Sequence, residues 1–235
     1  MDLVKEFDFS SLLPKDKALS ACTTIDKWVE RGDYWDENIQ YQTKGNILFD
    51  PNPVFTVLRY SFIAACNLWL EDDFELGLIQ SWAVKTNKEK YNNIDAEKLW
   101  HHHNYPNLGA PNPSIPNKPQ DVNGCRIMRG NIKSHNNEIR EINNERPVIL
   151  SGLFYLHVPE DNDNIDLCGT EFAPNGLDSK ERFNIKPEYG KWFIYPGYYW
   201  HRTMPQQSMN WRYVIAADAE IDPEINLRLR MEKND

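Results

Sequence analysis

The sequence predicts a mainly β protein: short strands closing into a sandwich or barrel, behind a mostly helical N-terminal region. Three observations carry this. From Pro147 onward, short apolar runs recur with Gly and Pro breaks between them. Before that point, only Val54–Leu70 keeps a long helical period. Finally, 235 residues with 40% hydrophobic and 12% aromatic content fit one substantial domain with a core of its own.

Taken in chain order, residues 1–50 are mixed and polar, with one amphipathic piece near Ser20–Arg31. In the next segment Val54, Val57, Leu58, Phe62, Ala65, Cys66 and Trp69 recur at three- and four-residue steps, and Pro53 suits a first helical turn. Residues 1–74 thus read as a helical support. Glu75–Thr86 alternates as a strand does, with Trp82 half buried. Residues 87–99 are a charged connection ending at the run WHHHNYPN (100–107). Prolines 106, 111, 113, 116 and 119 rule out a helix or central strand there. Cys125–Ile132 is a short strand candidate, and the polar residues 133–146 read as an exposed turn region or a short helix. The strand-rich part holds runs at 148–159, 168–174, 183–187, 190–197, 201–205 and 211–221. Residues 222–235 form a polar tail.

Bulk chemistry excludes several functions. The formal charge is −9, so a basic face for nucleic acid or for an anionic membrane is disfavoured. Cys22, Cys66, Cys125 and Cys168 are far apart and form no CxxC pair, which argues against a zinc finger or disulfide framework and fits a reducing compartment. The charged N-terminus lacks the pattern of a signal peptide, and the longest apolar stretch is interrupted by Arg59 and reads as too short for a bilayer. The expectation is a cytoplasmic protein. No G-x-S-x-G elbow, P-loop or dinucleotide glycine fingerprint occurs.

The chemistry concentrates at His201 and Arg212. Each opens a strand candidate, and antiparallel neighbours would bring both to one mouth of a sheet. A neutral imidazole there can bind a metal, and a guanidinium beside it can hold a carboxylate with two parallel hydrogen bonds. Alternatively His201 is a surface strand histidine and Arg212 pairs with a nearby acid. In an extended segment His101 and His103 share a face while His102 points away. With His201 they would offer three nitrogens, and one carboxylate in place of an imidazole would give the facial triad of non-haem iron(II) oxygenases. The other reading of HHH is a solvated loop. His135 and His157 compete as metal ligands, and Glu171 points either into a barrel or to solvent. The aromatic residues Trp192, Phe193, Tyr195, Tyr198, Tyr199 and Trp200 form either strand core or a cleft wall.

The segments QSWAVKTN (80–87), HHHNYPN (101–107), LSGLFYLHVP (150–159), GKWFIYPGYYWH (190–201) and WRYVI (211–215) follow a known order. In that order the chain resembles the 2-oxoglutarate/iron(II)-dependent oxygenases of the prolyl-hydroxylase-like superfamily, in particular small oxygenases of marine bacteria and their phages. The resemblance covers roughly residues 75–220. It implies a double-stranded β-helix, a cupin-like jelly roll, spanning 75–221, with residues 108–150 inserted. It implies His201 as distal and His103 as proximal iron ligand, Arg212 as the grip on the far carboxylate of 2-oxoglutarate, and Tyr155 as a second partner of that carboxylate. Iron(II) and 2-oxoglutarate are the implied cofactor and cosubstrate of a dioxygenase, and a protein side chain or a small metabolite is the implied substrate. The superfamily writes its proximal ligands H-x-D or H-x-E, and neither occurs here. The third ligand is then His101, or a carboxylate of the insertion (Asp121, Glu138 or Glu141), or absent, with water or a halide in its position. The alternatives to this function are a three-histidine metal oxygenase that does not use 2-oxoglutarate, and a catalytically silent jelly-roll binding or structural protein. The length of the insertion predicts an ordered flap over the metal mouth.

Overall fold

The computed structural model describes residues 4–36, 39–71, 76–91, 96–103, 149–161, 168–197 and 199–221. Most of the insertion, His135, Cys125–Ile132, Tyr198, the carboxylates Asp121, Glu138 and Glu141, and the tail lie outside these residues.

Among the described residues, ten strands and three α-helices run in the order β1 (Lys5–Asp8), α1 (Lys15–Glu30), β2 (Tyr34–Asp36), β3 (Tyr41–Thr43), α2 (Pro53–Leu70), β4 (Leu76–Thr86), α3 (Lys88–Tyr91), β5 (Ile149–His157), β6 (Thr170–Ala173), β7 (Phe183–Ile185), β8 (Lys191–Pro196), β9 (Trp200–Thr203) and β10 (Arg212–Ile221). They form two antiparallel sheets. The larger has seven strands in the order β1-β8-β5-β10-β4-β3-β2, and the smaller has three in the order β7-β6-β9. This is the predicted jelly roll. Strands β4 to β8 and β10 fall within the expected runs, β9 starts one residue before its run, at Trp200, and α2 starts one residue before the expected helix, at Pro53. Strands β1, β2 and β3 were not expected. They are three or four residues long, too short for a periodic signal, and each is held by pairing to a neighbour, β1 to β8, β3 to β4 and β2 to β3.

Period-two alternation divides the larger sheet into two faces. Arg212, Val214, Ala216 and Asp218 of β10 stand opposite Thr86, Val84, Trp82 and Gln80 of β4. On its other side, Val214, Ala216 and Asp218 stand opposite Tyr155, Leu153 and Ser151 of β5. These residues look inward, and many of them join Phe172, Phe193, Tyr195 and Tyr199 in a buried cluster between the sheets. The intervening residues, among them Ala83, Phe154, Ile215 and Ala217, pack outward against α1 and α2.

Helix α2 is built as its sequence dictates. The Asn52 side chain accepts a hydrogen bond from the Val54 amide, Pro53 opens the first turn, and Glu71 closes the helix in the left-handed conformation at φ 60°. Val54, Phe55, Leu58, Phe62, Ala65 and Cys66 are its buried face. Against the sequence expectation, α2 is long and apolar enough to cross a membrane by length and composition. Its apolar face here is core, and Ser61 on that face accepts a hydrogen bond from Trp192 Nε1. On α1, Asp26 receives Tyr213 Oη at 2.9 Å and Lys85 Nζ at 2.6 Å, fixing that helix to the outer face of β10 and β4.

Gly152, part of the Ser-Gly pair in β5, has a packing cause. A Cβ there would lie 2.7 Å from a Phe62 ring carbon and 2.8 Å from Ile194 Cδ1. The glycine lets α2 sit close to the sheet. Gly152→Ala should therefore cost about 1–3 kcal/mol through overpacking, read as a lower midpoint in urea unfolding. An unchanged midpoint would mean that α2 can shift outward freely.

Candidate metal and carboxylate site

The backbone builds the histidine cluster. His101 and His201 form an antiparallel bridge, His101 N donating to His201 O at 3.1 Å and His201 N to His101 O at 2.9 Å. Directly opposed residues of an antiparallel pair project to the same face. Two residues on, His103 N donates to Gly197 O at 2.6 Å, which keeps the segment extended and returns His103 to that face. His102 points away and sets its ring edge-on to Trp200 at 4.5 Å.

The three rings converge, with centroids 4.3 Å apart for His101–His201, 4.9 Å for His103–His201 and 5.4 Å for His101–His103. Each Nδ1 has a fixed acceptor. His101 Nδ1–H donates to Leu99 O at 2.8 Å, His201 Nδ1–H to Tyr199 O at 3.0 Å, and His103 Nδ1–H to Asp218 Oδ1 at 2.8 Å. Since a carbonyl or carboxylate oxygen can only accept, each ring in its neutral form carries its proton on Nδ1 and its lone pair on Nε2. One ligand atom from each ring lies within 4.8 Å of the others. Two nitrogens held at about 2.1 Å from one cation can be no more than about 4.2 Å apart, so the rings need to close by only a fraction of an ångström each. The donor set fits a divalent transition metal such as iron. Tyr195 Oη donates to His201 Nε2 at 3.3 Å, a bond that a cation would displace.

Burial tunes these rings. It pushes the His101 imidazole down to about 4, helped by the neighbouring His103, and holds His201 well below the ordinary histidine range, helped by His101 and His103. Both are neutral at pH 7, the state in which imidazole binds metal. Burial pushes the Asp218 carboxyl up, but His103, Ser151 and Gln80 outweigh it and keep it below its ordinary value.

Arg212 sits at the other end of the same inward row. It is 2% exposed, and burial lowers its pKa. Nη1 donates to Cys168 O at 2.6 Å, while Nε is buried with no hydrogen-bond partner among the described residues. No carboxylate among the described residues pairs with it, so the alternative of a structural ion pair finds no partner there. Tyr155 lies behind: its ring is 5.8 Å from the guanidinium, and its hydroxyl is hydrogen-bonded to Thr170 Oγ1 at 2.8 Å. Thr170, rather than Tyr155, faces the open space.

That space is a cavity of about 160 Å³ between the sheets, with the three histidines, Arg212, Thr170 and Trp82 on its wall. No acidic side chain is among the described residues that line it. Arg212, with one guanidinium nitrogen unpartnered among the described residues, and the three imidazoles therefore line one small chamber, with no acid among the described residues of its wall. An anion with a carboxylate at one end and metal-binding oxygens at the other matches both.

The remaining candidates fall elsewhere. His157 is half-buried, with its ring against Tyr213 at 6.2 Å, outside the cluster. Glu171 receives Arg202 Nε at 2.6 Å while its strand neighbours Thr170 and Phe172 are buried. Trp192 belongs to the outer core and Phe193, Tyr195 and Tyr199 to the inner one, so this aromatic run is core, with Trp200 at the rim. Asp218, Ser151 and Thr170 were missed in the sequence. Asp218 was findable, since it lies six residues after Arg212, on the same face of an otherwise apolar strand.

No family model matches the sequence, and no curated protein matches it. Solved structures do match its fold. The alpha ketoglutarate dependent epimerase SnoN from nogalamycin biosynthesis has TM-score 0.58 and 10% identity, over 93% of this chain and 77% of that one. A prolyl hydroxylase from Trichoplax adhaerens, in complex with a hypoxia inducible factor peptide fragment, has TM-score 0.52 and 12% identity, over 94% of this chain and 84% of that one. HygX from Streptomyces hygroscopicus, with nickel, 2-oxoglutarate and hygromycin B bound, has TM-score 0.52 and 11% identity, over 93% of this chain and 82% of that one. The chain shares the fold of these structures, in agreement with the jelly roll that the resemblance implies.

The two depressed histidines carry a pH signature. Their stability contribution is complete above about pH 6.5, where the unfolded imidazoles are also neutral, and is lost as pH falls toward the folded values, about 4 for His101. Metal-free protein should therefore lose thermal stability across that window. His101→Gln should flatten the slope of Tm against pH there, and equal slopes for the two proteins would contradict a buried neutral His101.

Proposed function

We propose that the protein is a non-haem iron(II), 2-oxoglutarate-dependent dioxygenase, acting as a hydroxylase of a protein side chain or small metabolite. The observation that carries this reading is the shared chamber: three convergent Nε2 atoms at one side and a buried, incompletely bonded Arg212 at the other. His101, His103 and His201 would hold the iron. Arg212 would hold the distal carboxylate of 2-oxoglutarate, with Thr170 beside it and Tyr155 behind it. When bound, iron(II) with 2-oxoglutarate supplies oxygen activation coupled to oxidative decarboxylation of the 2-oxo acid to succinate and carbon dioxide.

The chain's own residues set the conditions for that chemistry. Anchored Nδ1–H groups fix the ring orientations and spare the cost of choosing a tautomer on binding. Apolar and aromatic walls, Trp82 and Leu153 among them, exclude water and strengthen the electrostatic grip of Arg212. Solved structures of this fold hold a peptide fragment in one case and hygromycin B in another, which supports either kind of substrate for this chain. The unpartnered Nε of Arg212 favours this reading over a three-histidine oxygenase that does not use 2-oxoglutarate, because such an enzyme leaves the guanidinium without a task.

Calorimetry with Ni(II)-loaded protein tests it. 2-Oxoglutarate should bind the wild type, and Arg212→Ala should weaken binding roughly ten- to hundred-fold, the cost of about 1.5–3 kcal/mol for a lost charged hydrogen-bond partner. Arg212→Lys should not restore it, since a single ammonium cannot form the fork. Equal affinity in wild type and Arg212→Ala would overturn the assignment.

A further inference from the structure

We propose that Asp218 is a positioning residue for the metal centre, supplying through His103 the negative charge that an all-histidine ligand set lacks. This rests on the metal reading above. Three neutral imidazoles give a divalent cation no charge compensation. Asp218 is fully buried, and Oδ1 receives the Nδ1–H of His103 at 2.8 Å. The carboxylate therefore lies behind the ring, on the side away from the lone pair that faces the chamber. It is one imidazole removed from the position of a direct ligand.

Two features separate His103 from its neighbours. The Nδ1–H groups of His101 and His201 meet neutral backbone carbonyls, whereas that of His103 meets a carboxylate. A charge-assisted bond is roughly twice as strong as a neutral one and draws the proton away from the ring, which makes Nε2 the better donor to a cation. The carboxylate is itself held in place. Ser151 Oγ donates to Oδ1 at 2.7 Å and Gln80 Nε2 to Oδ2 at 3.0 Å, from the two strands that flank β10. This fixes the plane of the carboxylate and hence that of the His103 ring, which packs on the Trp82 ring at a centroid distance of 5.3 Å and an angle of 60°. Strand β10 thus carries the cation that receives the cosubstrate at one end of its inward row and the anion that supports the metal at the other.

The test is a Co(II) titration of the full chain, followed by the visible absorption of the bound ion. Asp218→Asn keeps the size and removes the charge. It should raise the Co(II) Kd roughly 10–100-fold and shift the absorption bands. Ser151→Ala removes a neutral donor but leaves the charge, and should raise the Co(II) Kd far less than Asp218→Asn does. In the Zn(II)-loaded wild type, proton NMR should place the His103 Nδ1–H downfield of those of His101 and His201, a readout that holds even if Asp218→Asn does not fold. An unchanged Kd and spectrum in Asp218→Asn, equal losses in both variants, or coincident Nδ1–H resonances would each overturn the inference. Wild-type protein that takes up no Co(II) would overturn the metal reading and this one with it.

Discussion

The site depends on one pair of backbone hydrogen bonds, those exchanged between His101 and His201. Without that bridge the histidine run would be a polar stretch between two proline-rich or charged segments. With it, residue 101 is an added strand position on the edge of the small sheet, and the face on which its side chain lies is decided. His103 follows because an extended chain repeats every two residues. Three imidazoles therefore meet because of main-chain register rather than side-chain attraction, which between buried basic groups is absent. The same register sends His102 outward, where it rests on Trp200.

The second constraint is the alternation of β10. Its outward residues between Tyr213 and Ala219 are mostly small, so the helices pack close on that side. Its inward residues run from a guanidinium through two aliphatic side chains to a carboxylate. Burying two opposite charges at the ends of an apolar row is costly unless each has partners. Asp218 has several, which keep it ionised. Arg212 keeps one buried N–H without an acceptor among the described residues. A native fold tolerates few such groups, and they concentrate where a ligand completes the bonding.

Much of this was legible in the chain, and the limits have physical causes. Strands from β5 onward announced themselves through Gly and Pro breaks and apolar runs, because most of them have a buried face. β1, β2 and β3 did not, since edge strands of three or four residues owe their conformation to the neighbour they pair with. The shared face of His101 and His103 followed from period two. The role of Tyr155 did not: an inward tyrosine near an arginine was readable, but not that Thr170 would take its hydroxyl. Asp218 went unremarked because an acid near the end of a strand usually meets solvent. Its burial depends on His103, Ser151 and Gln80, which reach it from widely separated parts of the chain.

The histidine bridge also has a meaning for the life of the molecule in a cell. His101 and His103 precede the long insertion, and His201 lies beyond it near the C-terminal end of the barrel. An ion shared by the three would tie these distant stretches together as a covalent cross-link does, restricting the unfolded chain over a very long loop. The unfolded chain has no such preformed triad, so the free energy of ion uptake would add to that of folding. The small sheet, three short strands plus one bridge position, stands to gain most. Metal supply would then govern abundance as well as turnover: under iron starvation the chain would be lost to proteolysis, and iron sufficiency would be read out as protein lifetime.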